Sequence, residues 1–384
     1  MPLRMLVAGA GIGGLTAAIA LKRAGHEVAV FERAPELLAV GAGISIQPNA
    51  VVALRQIGVG DAVVAAGRSM RDSTIRRFDG RVLSALPLEA LYARVGAPSV
   101  AIHRATLQRV LLAAAGDVVR LGAPIAAHEA TPTGGVRIRL HDGTHHEGDA
   151  LIGADGLRST VRAQLFPERA SLRHAGYHAW RGVTTGLAGL AADTSFLSWG
   201  RGLRFGAVEI DGDRTYWFAL VNGPKPHDAP AAAPMALLTR LFGAWHAPIP
   251  SLLAATSHFL CDDIHELPPL RHWGNGRVTL LGDAAHAMTP NLGQGACQAI
   301  EDAVILADCL SPGDTDPATA LRTYEGLRRA RVIGIQKGAR RLGAVGQLAN
   351  PVLCALRNLA MRATPTAVAA RRMEAIWTYP GAEK

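Results

Sequence analysis

The stretch that most constrains this chain is its beginning, RMLVAGAGIGGLTAAIALKRAGHEVAVFER, residues 4–33. Arg4 to Ala8 reads as a buried strand, Gly9 to Gly14 as a glycine turn, the residues through Ala24 as a helix, and Glu27 to Phe31 as a second strand. A βαβ unit at the very start commits the chain to a parallel sheet covered by helices. Within it, Gly9-Ala10-Gly11-Ile12-Gly13-Gly14 satisfies G-x-G-x-x-G in the context the fingerprint requires. Gly9 permits the tight turn, Gly11 lets a pyrophosphate approach the backbone, and Gly14 lets the helix pack close. Free N–H groups and the positive end of the helix dipole, at Ile12 and Gly13, suit phosphate oxygens. Glu32 ends the second strand, where a carboxylate accepts from ribose hydroxyls. The motif alone does not separate NAD from FAD.

The rest of the chain reads as further pieces of one architecture. "GAGISIQPNAVVALRQIGV" is a loop leading into a helix, with Asn49 expected as its N-cap. From Arg71 to Pro98 short strands are expected, with Asp79-Gly80 as a hairpin turn. "HRATLQRVLLAAAG" is an amphipathic helix closed by Gly116, and "GVRIRLHDGTHHEGDALIGADG" a meander turning at Asp142-Gly143. Residues 173–270 alternate apolar and polar as antiparallel sheet, interrupted by the Pro/Ala-rich surface loop "GPKPHDAPAAAPM". The α/β pattern resumes after Gly276, and from Pro317 the chain is helical, broken at Pro351 and Pro365. The expected fold class is α/β: a Rossmann-like nucleotide-binding domain of segments 1–72, 98–172 and 270–340, an inserted antiparallel β-sheet domain of 73–97 and 173–269, and C-terminal helices at 341–384.

Composition narrows the partners. The formal charge is +9, from 40 Lys and Arg against 31 Asp and Glu, and nearly all the excess is arginine. No basic run interleaves with aromatics, which are 5% of the chain, so a nucleic-acid partner is not expected; attraction for polyanionic small molecules is. Cys261, Cys297, Cys309 and Cys354 form no CxxC pair and no metal-like cluster, and read as small apolar residues in a reducing compartment. No metal site is expected. The N-terminus carries a motif rather than a cleavable leader, and no apolar run is long enough to span a bilayer. The expectation is a soluble cytoplasmic protein with no membrane partner.

Three strand ends carry the decisive signals. After GAGIGG come Asp155-Gly156 in "ALIGADGLRSTVR" and Gly282-Asp283 in "GRVTLLGDAAHAMTPNLGQGACQAIEDAVILA". With these three motifs in order over essentially its whole length, the chain resembles the single-component FAD-dependent aromatic hydroxylases of the para-hydroxybenzoate hydroxylase fold. It is most similar to the urate hydroxylase, salicylate hydroxylase and zeaxanthin epoxidase group, through "GAGISIQPNA", "HRATLQRVLL" and "GYHAWRG".

The resemblance implies FAD as cofactor, NAD(P)H as a transient co-substrate, and O2 and a small aromatic or heteroaromatic molecule as substrates. A flavin C4a-hydroperoxide would carry the oxygen to the ring. It implies that Glu32, with Arg33 beside it, holds the adenosine ribose, and that Gly43 lies along the cofactor. Arg104 and Gln108, one helical turn apart, would reach the pyrophosphate and ribityl chain. Asp283, after Gly282, would accept from a ribityl hydroxyl, and Asp155 would be a structural clamp near FAD and the pyridine nucleotide. Gly293-Gln294-Gly295-Ala296 would start a helix aimed at the flavin's pyrimidine edge, where reduced flavin is negative and small residues let the ring approach the N–H groups. Pro290, lacking an N–H, would wall the place where oxygen reacts.

Substrate choice would rest on Arg204 and Tyr216 from the inserted sheet and on Asn291 opposite. Arg204 would fix an anionic or enolised substrate, and Tyr216 would hydrogen-bond or stack. Urate hydroxylases of this type tend to carry an acid where Asn291 stands, which argues against urate. His286 reads as a packing residue rather than a base. The competing readings are an epoxidase or reductase of an isoprenoid-like substrate, a halogenase (of whose WxWxIP element "WHAPIP" at Trp245 is a partial echo), and a non-catalytic binding protein on the same fold. A monomer or homodimer is expected.

Overall fold

The computed structural model describes residues 1–37, 42–169, 171–186, 189–211, 213–225, 233–311 and 316–381. Residues 226–232 of the Pro/Ala-rich segment lie outside the described residues.

A six-stranded sheet runs in the order Gly274–Asn275, Val278–Leu280, Ala150–Gly153, Arg4–Ala8, Glu27–Phe31, Val119–Arg120. All its pairs are parallel except the first, at the edge. Its central strands are apolar because both faces are covered: Met5, Leu6, Val7 and Leu151 are fully buried. The helix Ile12–Arg23, which follows the glycine turn, packs on the helix Gly295–Cys309, 280 residues away in sequence but adjacent in space. Gly13 makes this possible: a Cβ there would lie 2.8 Å from Leu281 Cδ2 and 3.2 Å from Ala299 Cβ.

A seven-stranded sheet follows the order Leu260–Glu266, Arg173–Thr185, Arg214–Asn222, Leu203–Asp211, Thr194–Trp199, Asp72–Arg77, Val82–Leu86. It is antiparallel throughout except where Thr194–Trp199 runs parallel to Asp72–Arg77, so the two sequence-distant β segments share one sheet. One face buries Trp180, Phe205, Trp217 and Phe242, with Phe205 stacked on Trp217 at 5.3 Å between centroids, under the helices Ala233–Phe242 and Ile249–Ala254. The other face carries Arg204, Gly206, Phe218 and Tyr216, since cross-strand partners 204/220, 206/218 and 208/216 point the same way.

Two local expectations are corrected. The segment expected as short strands from Arg71 to Pro98 also contains the helix Leu88–Val95, closed by Gly96 at φ 82. Asn49 is not a cap. The helix Pro48–Gln56 begins two residues earlier than such a cap would set it, its cap is Gln47, and Asn49 is buried inside it, where its amide donates to Gln294 and Glu301. Proline at the first helical position has a φ already suited to the helix and no N–H to leave unsatisfied, which moves the start forward.

Candidate functional site

The glycine turn behaves as its chemistry requires. Gly9 sits at φ +98, and a Cβ there would be 2.7 Å from the Ala154 carbonyl oxygen. A Cβ on Gly14 would overlap the Gly9 carbonyl oxygen. Gly11, by contrast, has nothing within 4 Å of its Cβ position, so the turn faces open space there. The first N–H groups of the helix, at Ile12, Gly13 and Gly14, have no intrahelical acceptor. Glu32 accepts from Ala10 N at 2.7 Å and Ala34 N at 2.9 Å, which fixes its carboxylate against the turn. Gln108 donates to the Ala10 carbonyl at 3.0 Å, so the helix Arg104–Ala115 is tied to the same residue. Arg104 and Arg33 are exposed, and Arg104 opens that helix.

The second strand end is held from within. Asp155 Oδ2 accepts from Thr160 N at 2.7 Å and Val161 N at 3.2 Å, while its Oδ1 is buried without a hydrogen-bond partner among the described residues. Arg162, buried beside it, donates to the Ala284 and Leu157 carbonyls and links this turn to the third strand end. Burial lowers the Arg162 pKa, and Asp155 and Asp283 oppose that shift.

At the third strand end Gly282 has φ 63, and a Cβ there would be 2.9 Å from Ala299 Cβ. Asp283 is exposed and opens a short helix, Asp283–His286. Its carboxylate faces Gly295: a Cβ on Gly295 would lie 3.8 Å from Asp283 Oδ1 and meet nothing closer. Pro290 starts a 3-10 turn that ends at Gly293, φ 62, immediately before Gly295 and Ala296. Two helix N-termini, Ile12–Arg23 and Gly295–Cys309, thus lie on packed neighbours, with Asp283 beside the second. Open space at Gly11 and Gly295 and two donor-rich helix starts fit an extended pyrophosphate ending in a planar ring. FAD fits this cradle. Replacing Gly295 with Val is expected to leave the empty protein folded, since the space is there, but to displace the ring. Flavin absorbance bands and flavin fluorescence unchanged from the parent protein would refute that placement.

Opposite, the structure brings Arg204 and Asn291 together and sets Tyr216 apart. Arg204, 1% exposed, donates to Asn291 Oδ1 at 2.6 Å and Gln347 Oε1 at 2.8 Å, and its guanidinium lies 5.7 Å from the Tyr177 ring centre. No carboxylate pairs with it among the described residues. Burial lowers its pKa to about 10. Asn291 donates to Tyr177 Oη, Thr289 Oγ1 and the Ala339 carbonyl. Tyr216 lies two residue pairs further along the same sheet face, against Gly43, whose Cβ position is 2.5 Å from Tyr216 Cβ. Burial pushes the Tyr216 phenol up to about 12. Between them the half-buried ring of Phe218 lies across Gly206 and 6.0 Å from Tyr216. A cavity of about 300 Å³ beside the Arg204 cluster is lined by Tyr177, Thr289, Glu266, Arg340, Gly343 and Gln347, among others.

Sequence reading missed Tyr177, Gln347 and Phe218, because only strand register shows which residues share a face. It also missed a buried polar network beneath the Gly295 helix. Glu301 and Asp302, both 0% exposed, receive Arg328 at 2.5 and 2.7 Å; Glu301 also receives Arg331 and Asn49. Asp302 Oδ2 accepts from Gly282 N at 3.1 Å and from His286 Nε2 at 2.6 Å. Burial pushes the Asp302 carboxyl up, but His286 and Arg328 outweigh it and hold it below the ordinary range. His286, 2% exposed and bound to Asp302, packs as expected. Two adjacent acids inside the apolar run "QAIEDAVILA" were the available signal.

Comparisons with known proteins identify the family and the cofactor. A protein family described as FAD binding domain matches residues 3–229 and 265–337. The aurachin C monooxygenase/isomerase of Stigmatella aurantiaca is 48% identical over 94% of each chain. The 2-heptyl-3-hydroxy-4(1H)-quinolone synthase of Pseudomonas aeruginosa strain UCBPP-PA14 is 34% identical over 98% of each. Klebsiella pneumoniae HpxO, crystallised with FAD and uric acid, superposes with a TM-score of 0.92 at 32% identity, covering 98% of this chain and 97% of that one.

Proposed function

The chain belongs to the single-component FAD-dependent aromatic hydroxylases, and from that premise we propose that it uses NAD(P)H and O2 to oxygenate a nitrogen-containing aromatic ring. It is an FAD-dependent monooxygenase; the nicotinamide reductant and the ring class are our reading. FAD, when bound, would supply two-electron chemistry between NAD(P)H and O2, so that one oxygen atom enters the ring and the other leaves as water.

The observation that carries an anionic or enolic ring substrate is Arg204. A buried guanidinium with no carboxylate partner is costly, and an anionic or enolic oxygen on the substrate repays that cost. Such an oxygen makes an aromatic ring electron-rich, which is the property an electrophilic oxygen donor needs. Phe218 over Gly206 offers a flat apolar surface for the ring, and Tyr216, whose phenol stays protonated through the working pH range, offers a donor at the far end. Asn291 orients the guanidinium and is neutral, so it leaves the Arg204 charge for the substrate. Glu32, Gln108, Gly11 and the Ile12 helix start would hold the adenosine and pyrophosphate part of FAD. Asp283 would hold the ribityl chain, and Gly293, Gly295 and Ala296 would let the flavin ring reach free N–H groups. Asp155, already engaged by Thr160 and Val161, would keep the strand end in place. The names of two similar proteins support the ring class: one makes a 4(1H)-quinolone, and another was crystallised with uric acid.

The test is NADH and NADPH oxidation by the FAD-loaded protein over quinolones, hydroxylated benzoates and purines, with product mass followed. A coupled gain of one oxygen atom on a nitrogen heterocycle is expected. Reduced cofactor consumed only to hydrogen peroxide with every ring would defeat the proposal. Replacing Arg204 with Met removes a charged hydrogen-bond donor, so KM should rise by roughly 10–100-fold and peroxide leakage should increase. An unchanged KM would remove Arg204 from substrate binding.

A further inference from the structure

The helix Pro351–Ala363 is built inside out. Its inward residues are Cys354 and Arg357, with Asn358 and Met361 half-buried. Its outward face carries Val352, Leu356, Leu359 and Ala363, at the i, i+4, i+7, i+11 spacing of a single helical stripe, with Leu353, Ala355 and Ala360 alongside. Val352 is 65% exposed, Leu356 57% and Leu359 63%. Val345, just before the helix, and Val82, on the strand it packs against, are also exposed. Side chains of this kind normally turn inward, and a contiguous apolar surface on a folded protein marks a contact.

The sequence that flanks this face carries charge of one sign. Between Glu325 and Glu374 there is no Asp or Glu, against ten Lys and Arg. Lys337, Arg341, Arg362, Arg371 and Arg372 of that set are exposed, while Arg340 pairs with Glu266 at 2.8 Å. A second copy docking by its own equivalent face would set arginine against arginine, because a two-fold contact pairs each patch with itself. An anionic lipid surface complements both features, taking the apolar stripe into its acyl boundary and the arginines against its headgroups. At 13 residues the helix is about 20 Å long, too short to cross a bilayer and suited to lying in its plane. Among the described residues no helix is long and apolar enough to span one.

We propose that the Pro351–Ala363 helix docks this enzyme on anionic membrane surfaces. The sequence expectation of no membrane partner rested on the absence of a spanning run, a criterion that a surface-lying helix does not meet. The helix is also wired to the substrate side. Arg357 donates to Gly200 O at 3.2 Å and lies 5.0 Å from the Trp199 ring centre, on strand ends next to Arg204. Gln347, three residues before the Asn350 cap, accepts from Arg204. Gln347 also lines the cavity beside the Arg204 cluster, so the docked helix would lie next to that cavity.

The test is co-sedimentation of the FAD-loaded protein with vesicles of phosphatidylglycerol and phosphatidylcholine, or of phosphatidylcholine alone, without substrate, so failure leaves the proposed reaction untouched. The protein should pellet with the anionic vesicles, more weakly as salt is raised and weakly with the neutral ones. The double variant Leu356→Glu, Leu359→Glu should bind about tenfold less or worse, with parental flavin content and melting temperature. The inference is overturned if the protein stays in solution with anionic vesicles, or if the variant binds as the parent does. It is equally overturned if the lipid-free parent sediments as a dimer that the variant converts to a monomer, which would assign the face to a second copy.

Discussion

Replacing Arg328 with Met is expected to cost about 3–5 kcal/mol of stability, because it strips the cation from two fully buried carboxylates. Arg328 reaches Glu301, Asp302 and Gln298 with its donors, all within 2.7 Å. Burial alone would pull its pKa down, but Glu301 and Asp302 outweigh burial and hold it above the ordinary range. Arg331 still reaches Glu301 in the variant, so Asp302 is the residue left worst compensated, held by His286 and the Gly282 N–H. A melting temperature lower by roughly 5–10 °C is the expected readout. Neutralising the stranded acids with Asp302→Asn and Glu301→Gln in the same background should restore part of the loss. A change below about 1 kcal/mol would show that the network contributes packing rather than charge compensation. Because Asp302 also holds the Gly282 N–H, and Gln294 is bonded to Asn49 and Gln298, the variant should retain flavin less well.

Gly11→Val and Gly14→Val should fail in opposite ways. Gly11 has extended backbone, φ −71 and ψ −178, and open space around its Cβ position, so valine fits the cofactor-free protein without strain. The same side chain fills the place where the pyrophosphate meets the backbone. FAD affinity should fall by about 100-fold, equivalent to ~2.7 kcal/mol, with an unchanged melting temperature for the cofactor-free form. Gly14→Val puts its side chain into the Gly9 carbonyl and should abolish soluble folding. Titration of cofactor-free protein with FAD, followed by flavin fluorescence quenching, separates the two. Parental affinity in Gly11→Val would show that the phosphates do not cross this turn.

Much of the scaffold was legible because its signals are local. The glycine spacing, the Arg104–Ala115 helix with its Gly116 close at φ 71, and the breaks at Pro351 and Pro365 each depend on a few neighbouring residues. The misses follow from the same fact. Leu88–Val95 is a single short amphipathic turn pair that alternation cannot separate from a strand. Asn49 looked like a cap because Asn caps helices often, and only the third dimension supplies Glu301 and Gln294 as its partners. Arg204 and Tyr216 were named together, yet register spaces them along one sheet face with Phe218 between, and it is Asn291, 87 positions away, that touches Arg204.

The sequence by itself determined the dinucleotide-binding βαβ unit, the family, and therefore FAD chemistry, since each rests on short motifs whose backbone conformations are set within a few residues. Tertiary structure decided what surrounds the reacting ring. Arg204 stands without a carboxylate, Asp302 is locked between Arg328 and His286, and the leucines of Pro351–Ala363 face outward, because burial and pairing are properties of packed neighbours. A residue's partner across a sheet or helix interface has no fixed offset along the chain, so no spacing in the sequence can record it.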